Sequence, residues 1–274
     1  MLIVDSQVHI WDNRKLPPHH RQVMTFGKDD LLAEMDAAGV DAAIICPPFM
    51  LPEVNELACE AAREHPDRLA VMGFFPIDKP ESREVIKTWR ERPGSVGLRW
   101  VLNQPHHKQW WADGTMDWVW AAAEKEGLPV ALHAADALPE IGKVADRHPD
   151  LKLAVDHMGT PSASKDEASF VHLDQLLALA KRPNVSVKLS GSAMNSTADY
   201  PWRNIHGQIR RMFDAFGPER CFWGTDITRM HPTYRQCVTM FTEEMDWLKG
   251  RDLELVMGRA MLEWLGWDGP KAKA

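Results

Sequence analysis

Polar side chains that can perform acid–base chemistry close several short hydrophobic runs of this sequence. The runs read VDSQVH from residue 4, GLRW from 97, VALH from 130, AVDH from 154, VKLS from 187 and WGTD from 223. The carboxyl ends of parallel strands meet at one rim of a β/α barrel, and active sites of that fold are built there. A carboxylate could take a proton from water, and histidine, lysine or arginine could stabilise developing negative charge. The pattern therefore indicates an enzyme.

The alternation of side chains along each strand predicts which of these residues face the barrel interior. Lys188 lies on the opposite face from Val187, and the first strand places Asp5 on one face with Gln7 and His9. The polar residues predicted at the interior mouth are Gln7, His9, Arg99, His133, His157, Lys188 and Asp226. Buried ionisable groups are costly unless they are paired or solvated, so a rim with this many of them favours a working site over an accident of packing.

Eight short runs rich in β-branched residues alternate along the chain with longer segments of helical periodicity. This alternation is typical of parallel strands, because each of them needs a crossover connection. The predicted strands cover residues 2–10, 41–46, 70–75, 96–102, 129–134, 152–157, 185–189 and 221–225. The predicted helices cover residues 28–39, 52–65, 81–91, 115–127, 138–148, 167–181, 202–216, 232–249 and 252–265.

Eight β/α units in this order predict an α/β protein with a single (β/α)8 TIM barrel as one domain over residues 1–274. Right-handed crossovers on a closed sheet leave no free edge, which favours the barrel over an open doubly wound sheet. The first loop that follows a strand, residues 11–27, is long and contains His19 and His20. Loops at this end of a barrel shape the substrate pocket, although either histidine could equally lie on a surface excursion.

Composition and charge argue against several classes of partner. The net charge of −7 comes from mixed acidic and basic segments with no long cationic block, so we expect no nucleic-acid partner. No apolar run approaches the ~18 residues of a spanning helix and no basic leader opens the chain, which predicts a cytoplasmic protein without a membrane partner. The four cysteines, Cys46, Cys59, Cys221 and Cys237, lie far apart and are predicted to be reduced thiols.

The motifs together resemble the amidohydrolase superfamily, in its amidohydrolase-related branch of 2-pyrone-4,6-dicarboxylate lactonase, sugar lactonases and metal-dependent non-oxidative decarboxylases. The resemblance runs nearly end to end and rests on VDSQVHIW, DAAGVDAAIICPP, GLRW, the pair Asp156-His157, NVSVKLSG, FWGTD and GRAMLEWLGW. It implies that His9 matches the second histidine of an HxH pair, that His157 follows strand six and that Asp226 is the aspartate at the end of strand eight. Gln7 stands where the family's first histidine would be.

Gln7 weakens the metal site that the resemblance would otherwise imply, because a neutral amide is a poor zinc ligand. We therefore expect no metal cofactor, as in the lactonases of this family that operate without metal. Should zinc or manganese bind after all, the candidate ligands are His9, His157 and Asp226, with His133 as a further one.

The leading hypothesis is hydrolysis of a small, carboxylated lactone or a related cyclic ester or amide. Asp226 is the predicted general base, and His9 and His157, helped by Gln7 or Lys188, would stabilise the oxyanion. The residues predicted to contact substrate are Gln7, Arg99, His133, Arg229 and Trp100; the arginines suit a carboxylate because their donors match its two oxygens.

Two other functions stay open on the sequence. A metal-dependent decarboxylase or hydratase would lose activity on chelation, and the decarboxylase would release carbon dioxide, whereas a hydrolase consumes one water per turnover. A non-catalytic ligand-binding barrel would keep ligand affinity and have no turnover to lose. Apolar outer faces around Met240, Phe241 and Trp247 make a homo-oligomer a further expectation, although packing against the barrel explains them equally well.

Overall fold

Eight parallel strands follow one another around the sheet in sequence order, so the predicted TIM barrel is confirmed. The computed structural model describes residues 1–48, 52–229 and 231–270. The strands are β1 (Val4–Val8), β2 (Ala42–Ile45), β3 (Leu69–Gly73), β4 (Ser95–Val101), β5 (Val130–His133), β6 (Leu153–Val155), β7 (Val185–Ser190) and β8 (Cys221–Gly224). Each strand carries buried residues on both faces, as a barrel wrapped in helices requires.

Helices cover the outside of the barrel and, in several places, are shorter than their periodicity predicts. They are α1 (Lys28–Ala38), α2 (Pro52–Glu64), α3 (Ser82–Val85), α4 (Pro105–Asp113), α5 (Asp117–Lys125), α6 (Leu138–Arg147), α7 (Leu173–Leu179), α8 (His206–Phe216), α9 (Tyr234–Thr242), α10 (Gly250–Glu254) and α11 (Ala260–Leu265). The predicted helix 232–249 ends at Thr242 as α9. Sequence reasoning missed α4, although Pro105 at its first turn is a recognised start signal.

The C-terminal helix α11 closes the bottom of the barrel. Met261, Trp264 and Leu265 pack with Phe222 of β8 and with small interior residues of the other strands. A one-turn π-helical segment, Leu255–Arg259, leads into α11 and brings Gly258 against β1. A Cβ atom on Gly258 would lie 2.9 Å from the Val4 nitrogen, so only glycine permits this close approach. Because the bottom is sealed, the opposite rim is the open end of the barrel.

The seam between β1 and β8 is held by the carboxylate of Asp5. It accepts hydrogen bonds from the backbone nitrogens of Gln7 and Thr225, from the Thr225 hydroxyl and from the Tyr234 hydroxyl of α9. Burial raises the pKa of Asp5 to about 6 against the opposing effect of these donors. The prediction that Asp5 shares the interior face of the strand with Gln7 and His9 is therefore wrong. The register of β1 against β2 shifts between Asp5 and Val8, and this irregularity interrupts simple alternation.

Removing the Tyr234 hydroxyl should weaken this seam. We expect Tyr234→Phe to lower the free energy of unfolding by about 1–3 kcal/mol, because a buried carboxylate loses one of its donors. Chemical denaturation of the variant and of the parent protein measures the difference. Tyr200→Phe is the control, since among the described residues the Tyr200 hydroxyl bonds only Thr239, on a half-buried surface. Equal effects of the two substitutions would contradict a special role for the Asp5 contact.

Candidate active site

Asp226 lies at the open rim of the barrel, just past the end of β8. Its backbone adopts a left-handed conformation with φ of 57°, and its nitrogen donates to the Gln7 carbonyl across the seam at 2.8 Å. This turn directs the carboxylate inward, where its Oδ1 is 3.1 Å from His9 Nε2. Burial alone would raise the pKa of Asp226, but the neighbouring His9, His157 and Arg229 hold it well below its ordinary value. The carboxylate is therefore ionised at neutral pH.

His9 and His157 each have one ring nitrogen anchored and the other near Asp226. The Nδ1 atom of His9 contacts the Cys46 carbonyl, so that nitrogen carries a proton. The Nδ1 atom of His157 is 3.0 Å from the Ser190 hydroxyl, while its Nε2 atom is 3.9 Å from Asp226 Oδ2 and has no hydrogen-bond partner among the described residues. Burial lowers the pKa of His157 to about 3. His157 is thus a neutral imidazole at physiological pH.

The predicted strand 152–157 ends early, and the turn that follows it sets the position of the His157 ring. The strand β6 stops at Val155, and His157 and Met158 adopt left-handed conformations with φ of 50° and 58°. Such conformations are uncommon for residues other than glycine and often occur at functional sites. The turn places the His157 ring 5.0 Å from the ring of His133, the last residue of β5. Burial also lowers the pKa of His133, to about 4.

A buried ionic network lies beneath these side chains. Lys188 is fully buried, with its Nζ 3.2 Å from Asp156 Oδ1 and 3.1 Å from Gln7 Oε1. Arg99 donates through Nε to Asp156 Oδ2 at 2.8 Å. The two cations hold the pKa of Asp156 below its ordinary value in spite of burial. Asp156 therefore holds Arg99 in position, and Lys188 in turn holds Asp156.

A cavity of about 1020 Å³ opens above this floor. Among the predicted site residues, its walls include His9, Arg99, His133, His157 and Arg229. Lys188, Gln7 and Asp226 are fully buried and are not among the lining residues, so none of the three has a surface open to the cavity. Asp226 lies directly behind Arg229 and the two histidines. Lys188 contacts Asp156 and Gln7 beneath the cavity, and its predicted catalytic role stays a prediction.

The structure also keeps Trp100 away from the cavity. Its ring packs against Phe75 and Trp120 in the layer between barrel and helices, and its Nε1 donates to the Phe75 carbonyl. Strand alternation is the reason, because Arg99 points inward and the next residue must point outward. The prediction that Trp100 contacts substrate is wrong for that reason.

Two contributors to the site were not assigned from the sequence. His20, in the long loop after β1, lines the cavity, packs edge-on to His9 at 5.4 Å and lies 3.2 Å from the Thr228 hydroxyl. The second contributor is Ser190, whose hydroxyl contacts His157 Nδ1. The pattern of the VKLS run places Ser190 inside the barrel, but only the turn after β6 shows which imidazole it meets.

No helix in the described part of the chain is long and apolar enough to cross a membrane.

A TIM barrel with an aspartate, two histidines and an arginine around one cavity at its open rim defines an enzyme of the β/α-barrel class. A sequence profile described as Amidohydrolase matches residues 4–269, and the chain belongs to that family. The predicted family is thus confirmed.

Similar proteins include an L-fucono-1,5-lactonase of Burkholderia ambifaria, 24% identical over 232 residues, with 81% of this chain and 79% of that protein covered. An amidohydrolase of Burkholderia multivorans crystallised with bound zinc superposes with a TM-score of 0.86 at 20% identity, covering 97% of this chain and all of that one. A probable 2-pyrone-4,6-dicarboxylic acid hydrolase of Acinetobacter baumannii with bound citric acid superposes with a TM-score of 0.74 at 18% identity and covers the same shares. At these identities the structural matches establish the fold. The lactonase relative, together with the family, confirms the predicted lactonase resemblance and hydrolase class.

The donor set of the site does not fit a ready-made metal centre. His9, His157 and Asp226 are of the right chemical types for zinc. However, side-chain cations already take the oxygens that a metal would need, since Lys188 contacts Gln7 Oε1 and Arg229 Nη1 lies 3.2 Å from Asp226 Oδ2. Within the described ranges, no three His, Cys, Asp or Glu side chains are arranged to hold a metal ion. We therefore derive no catalytic step through a metal.

Proposed function

We propose that this protein hydrolyses a small lactone that carries a carboxylate, opening the ring to a hydroxy acid. The observation that carries the proposal is the ionised Asp226 directly behind the cavity wall that His9, His157 and Arg229 form. The names of the relatives support the bond type, since one is an L-fucono-1,5-lactonase and one a probable 2-pyrone-4,6-dicarboxylic acid hydrolase. Both named compounds are cyclic esters.

Asp226 is the proposed general base. Its carboxylate takes a proton from a water molecule, whose oxygen forms a bond to the lactone carbonyl carbon while the carbonyl π pair moves to oxygen. His9 and His157 face that region of the cavity and stabilise the oxyanion by donating hydrogen bonds. When the tetrahedral intermediate collapses, the ring C–O bond breaks, and the proton held by Asp226 passes to the leaving ring oxygen.

The charge of the site favours an anionic substrate. The cations Arg99, Lys188 and Arg229 outnumber the carboxylates Asp156 and Asp226, and the low pKa values of His133 and His157 keep those rings neutral. This excess of positive charge at the cavity attracts an anion. Arg99 and Arg229 both line the cavity and can present paired donors to a carboxylate. A carboxylated lactone therefore suits the site better than a neutral sugar lactone.

The test is a hydrolysis screen of carboxylated pyrones and neutral sugar lactones, with metal analysis of the same protein and assays before and after chelation. We expect turnover of a carboxylated lactone that chelation leaves unchanged, because side-chain cations supply the positive charge. Loss of activity on chelation, with restoration by zinc or manganese, would overturn the metal-free mechanism. Release of carbon dioxide from an aromatic acid, with every lactone inert, would replace hydrolysis by decarboxylation.

A further inference from the structure

Arg229 covers the carboxylate that the proposed reaction needs. Its Nη1 atom lies 3.2 Å from Asp226 Oδ2, on the side that faces the cavity, and the Asp226 side chain has no exposed surface. The two residues belong to one short turn after β8, in which the Arg229 nitrogen donates to the Asp226 carbonyl at 2.9 Å. With the guanidinium in this position, a water molecule in the cavity cannot reach Oδ2.

The guanidinium is held loosely in comparison with the other arginine of the cavity. Arg99 is 6% exposed and has an optimal 2.8 Å bond to Asp156. The Arg229 side chain is 18% exposed, its contact with Asp226 is its one hydrogen bond within the described residues, and its Nε is buried without a partner. A buried donor without a partner is unfavourable, and a carboxylate arriving in the cavity would relieve it. Arg229 therefore has a reason to leave Asp226 when such a ligand binds.

We propose that Arg229 is a removable cover for Asp226, drawn away by the carboxylate of the substrate. This inference rests on the proposed lactone hydrolysis and adds a consequence to it. An anionic lactone pairs with the guanidinium, Oδ2 becomes open to water, and the base can act. A neutral lactone of the same shape leaves the ion pair between Arg229 and Asp226 in place. The charge of the substrate then governs the chemical step as well as binding.

A matched pair of substrates and a matched pair of variants test this proposal. The substrates are 2-pyrone-4-carboxylate and its carboxamide, which share the lactone ring and differ by one negative charge. The variants are Arg229→Met, which uncovers Asp226 permanently, and Lys165→Gln, which removes a cavity-wall cation whose Nζ contacts the Met194 carbonyl. Ring opening is followed by ultraviolet absorbance, and kcat and KM are determined separately.

For the parent protein, we expect kcat on the carboxylate to exceed kcat on the carboxamide by about tenfold or more. Arg229→Met should raise kcat on the carboxamide by about three- to tenfold while raising KM for the carboxylate, whereas Lys165→Gln should leave the carboxamide kcat within about twofold. A role for Arg229 in binding alone predicts a higher KM for the carboxylate and no gain on the carboxamide. That result would overturn the proposal that Arg229 covers Asp226.

Failure of the reaction and failure of the cover give different results. If the parent protein opens neither ring nor any other lactone, the proposed function falls, and the cover falls with it. If it opens the carboxylate and Arg229→Met shows no gain in kcat on the carboxamide, the cover alone is wrong. Should Arg229→Met fail to fold by circular dichroism, Arg229→Gln makes the same comparison, because the amide lacks the charge that holds the cover in place.

Discussion

Asp226→Asn is expected to reduce kcat for lactone hydrolysis by about 10² to 10³ while KM changes little. An amide cannot accept the proton of the attacking water, yet it fills the same volume between His9 and Arg229. The measurement is the steady-state rate on the lactone found by screening, with the folded state checked by thermal unfolding. The effect should appear at all pH values between 6 and 8, because the pKa of Asp226 lies well below that range.

Asp136→Asn is the matched control for this experiment. Asp136 is an exposed carboxylate paired at a distance with Lys108 and His172, and it does not line the cavity. The kcat of the Asp136→Asn variant should stay within about twofold of the parent value. Equal and small effects of the two substitutions would remove Asp226 from the mechanism. A binding protein without chemistry would show no turnover in the parent to begin with.

Lys188→Met is expected to destabilise the fold by about 3–5 kcal/mol, because it leaves the buried Asp156 carboxylate short of a partner. Lys188 and Asp156 have no exposed side-chain surface, so water cannot replace the lost ammonium. Gln7 would lose its contact as well. Denaturant unfolding gives the change in the free energy of unfolding. The variant should also bind a substrate carboxylate less well, since Asp156 holds Arg99.

Lys87→Met serves as the control for the loss of a lysine ion pair. Lys87 bonds Glu84 on the surface at 2.6 Å, one turn away along the chain. Exposed pairs contribute little because water and salt screen them, so its unfolding should hardly change. If Lys188→Met were as harmless as Lys87→Met, the buried network would not support the site. The prediction concerns stability and binding, in keeping with the position of Lys188 below the cavity.

Much of the fold could be predicted because it depends on local patterns. Short β-branched runs separated by segments of helical periodicity define β/α units. Eight such units predict a closed barrel whatever the individual side chains are. Helix ends were less accessible. The segment 232–249 is helical only from Tyr234 to Thr242, and the buried Met245 and Leu248 that follow lie in a turn-containing segment whose residues carry no clear stop signal. The helix α4 was missed since its two histidines and two tryptophans give no clear apolar face.

The site was predictable to the extent that it follows strand alternation. His9, Arg99, His133 and His157 were assigned to the interior and line the cavity. The same rule, applied strictly to Arg99, excludes Trp100. The irregularity in β1 that turns Asp5 toward α9 has no counterpart in the alternation pattern. The distance of a side chain from the cavity could not be predicted either, since nothing in the sequence distinguishes a lysine that reaches the cavity from one that lies beneath it.

The barrel, the family and the residue types at the open rim could all be predicted from the sequence, because they depend on periodicity and short motifs along the chain. Which of these side chains contact one another became known from the folded arrangement alone. The contact of Arg229 with Asp226, the anchoring of Arg99 through Asp156 to Lys188, and the pairing of His157 with Ser190 join residues from different strands or depend on left-handed turns. Such contacts follow from three-dimensional packing and burial, which no local pattern encodes.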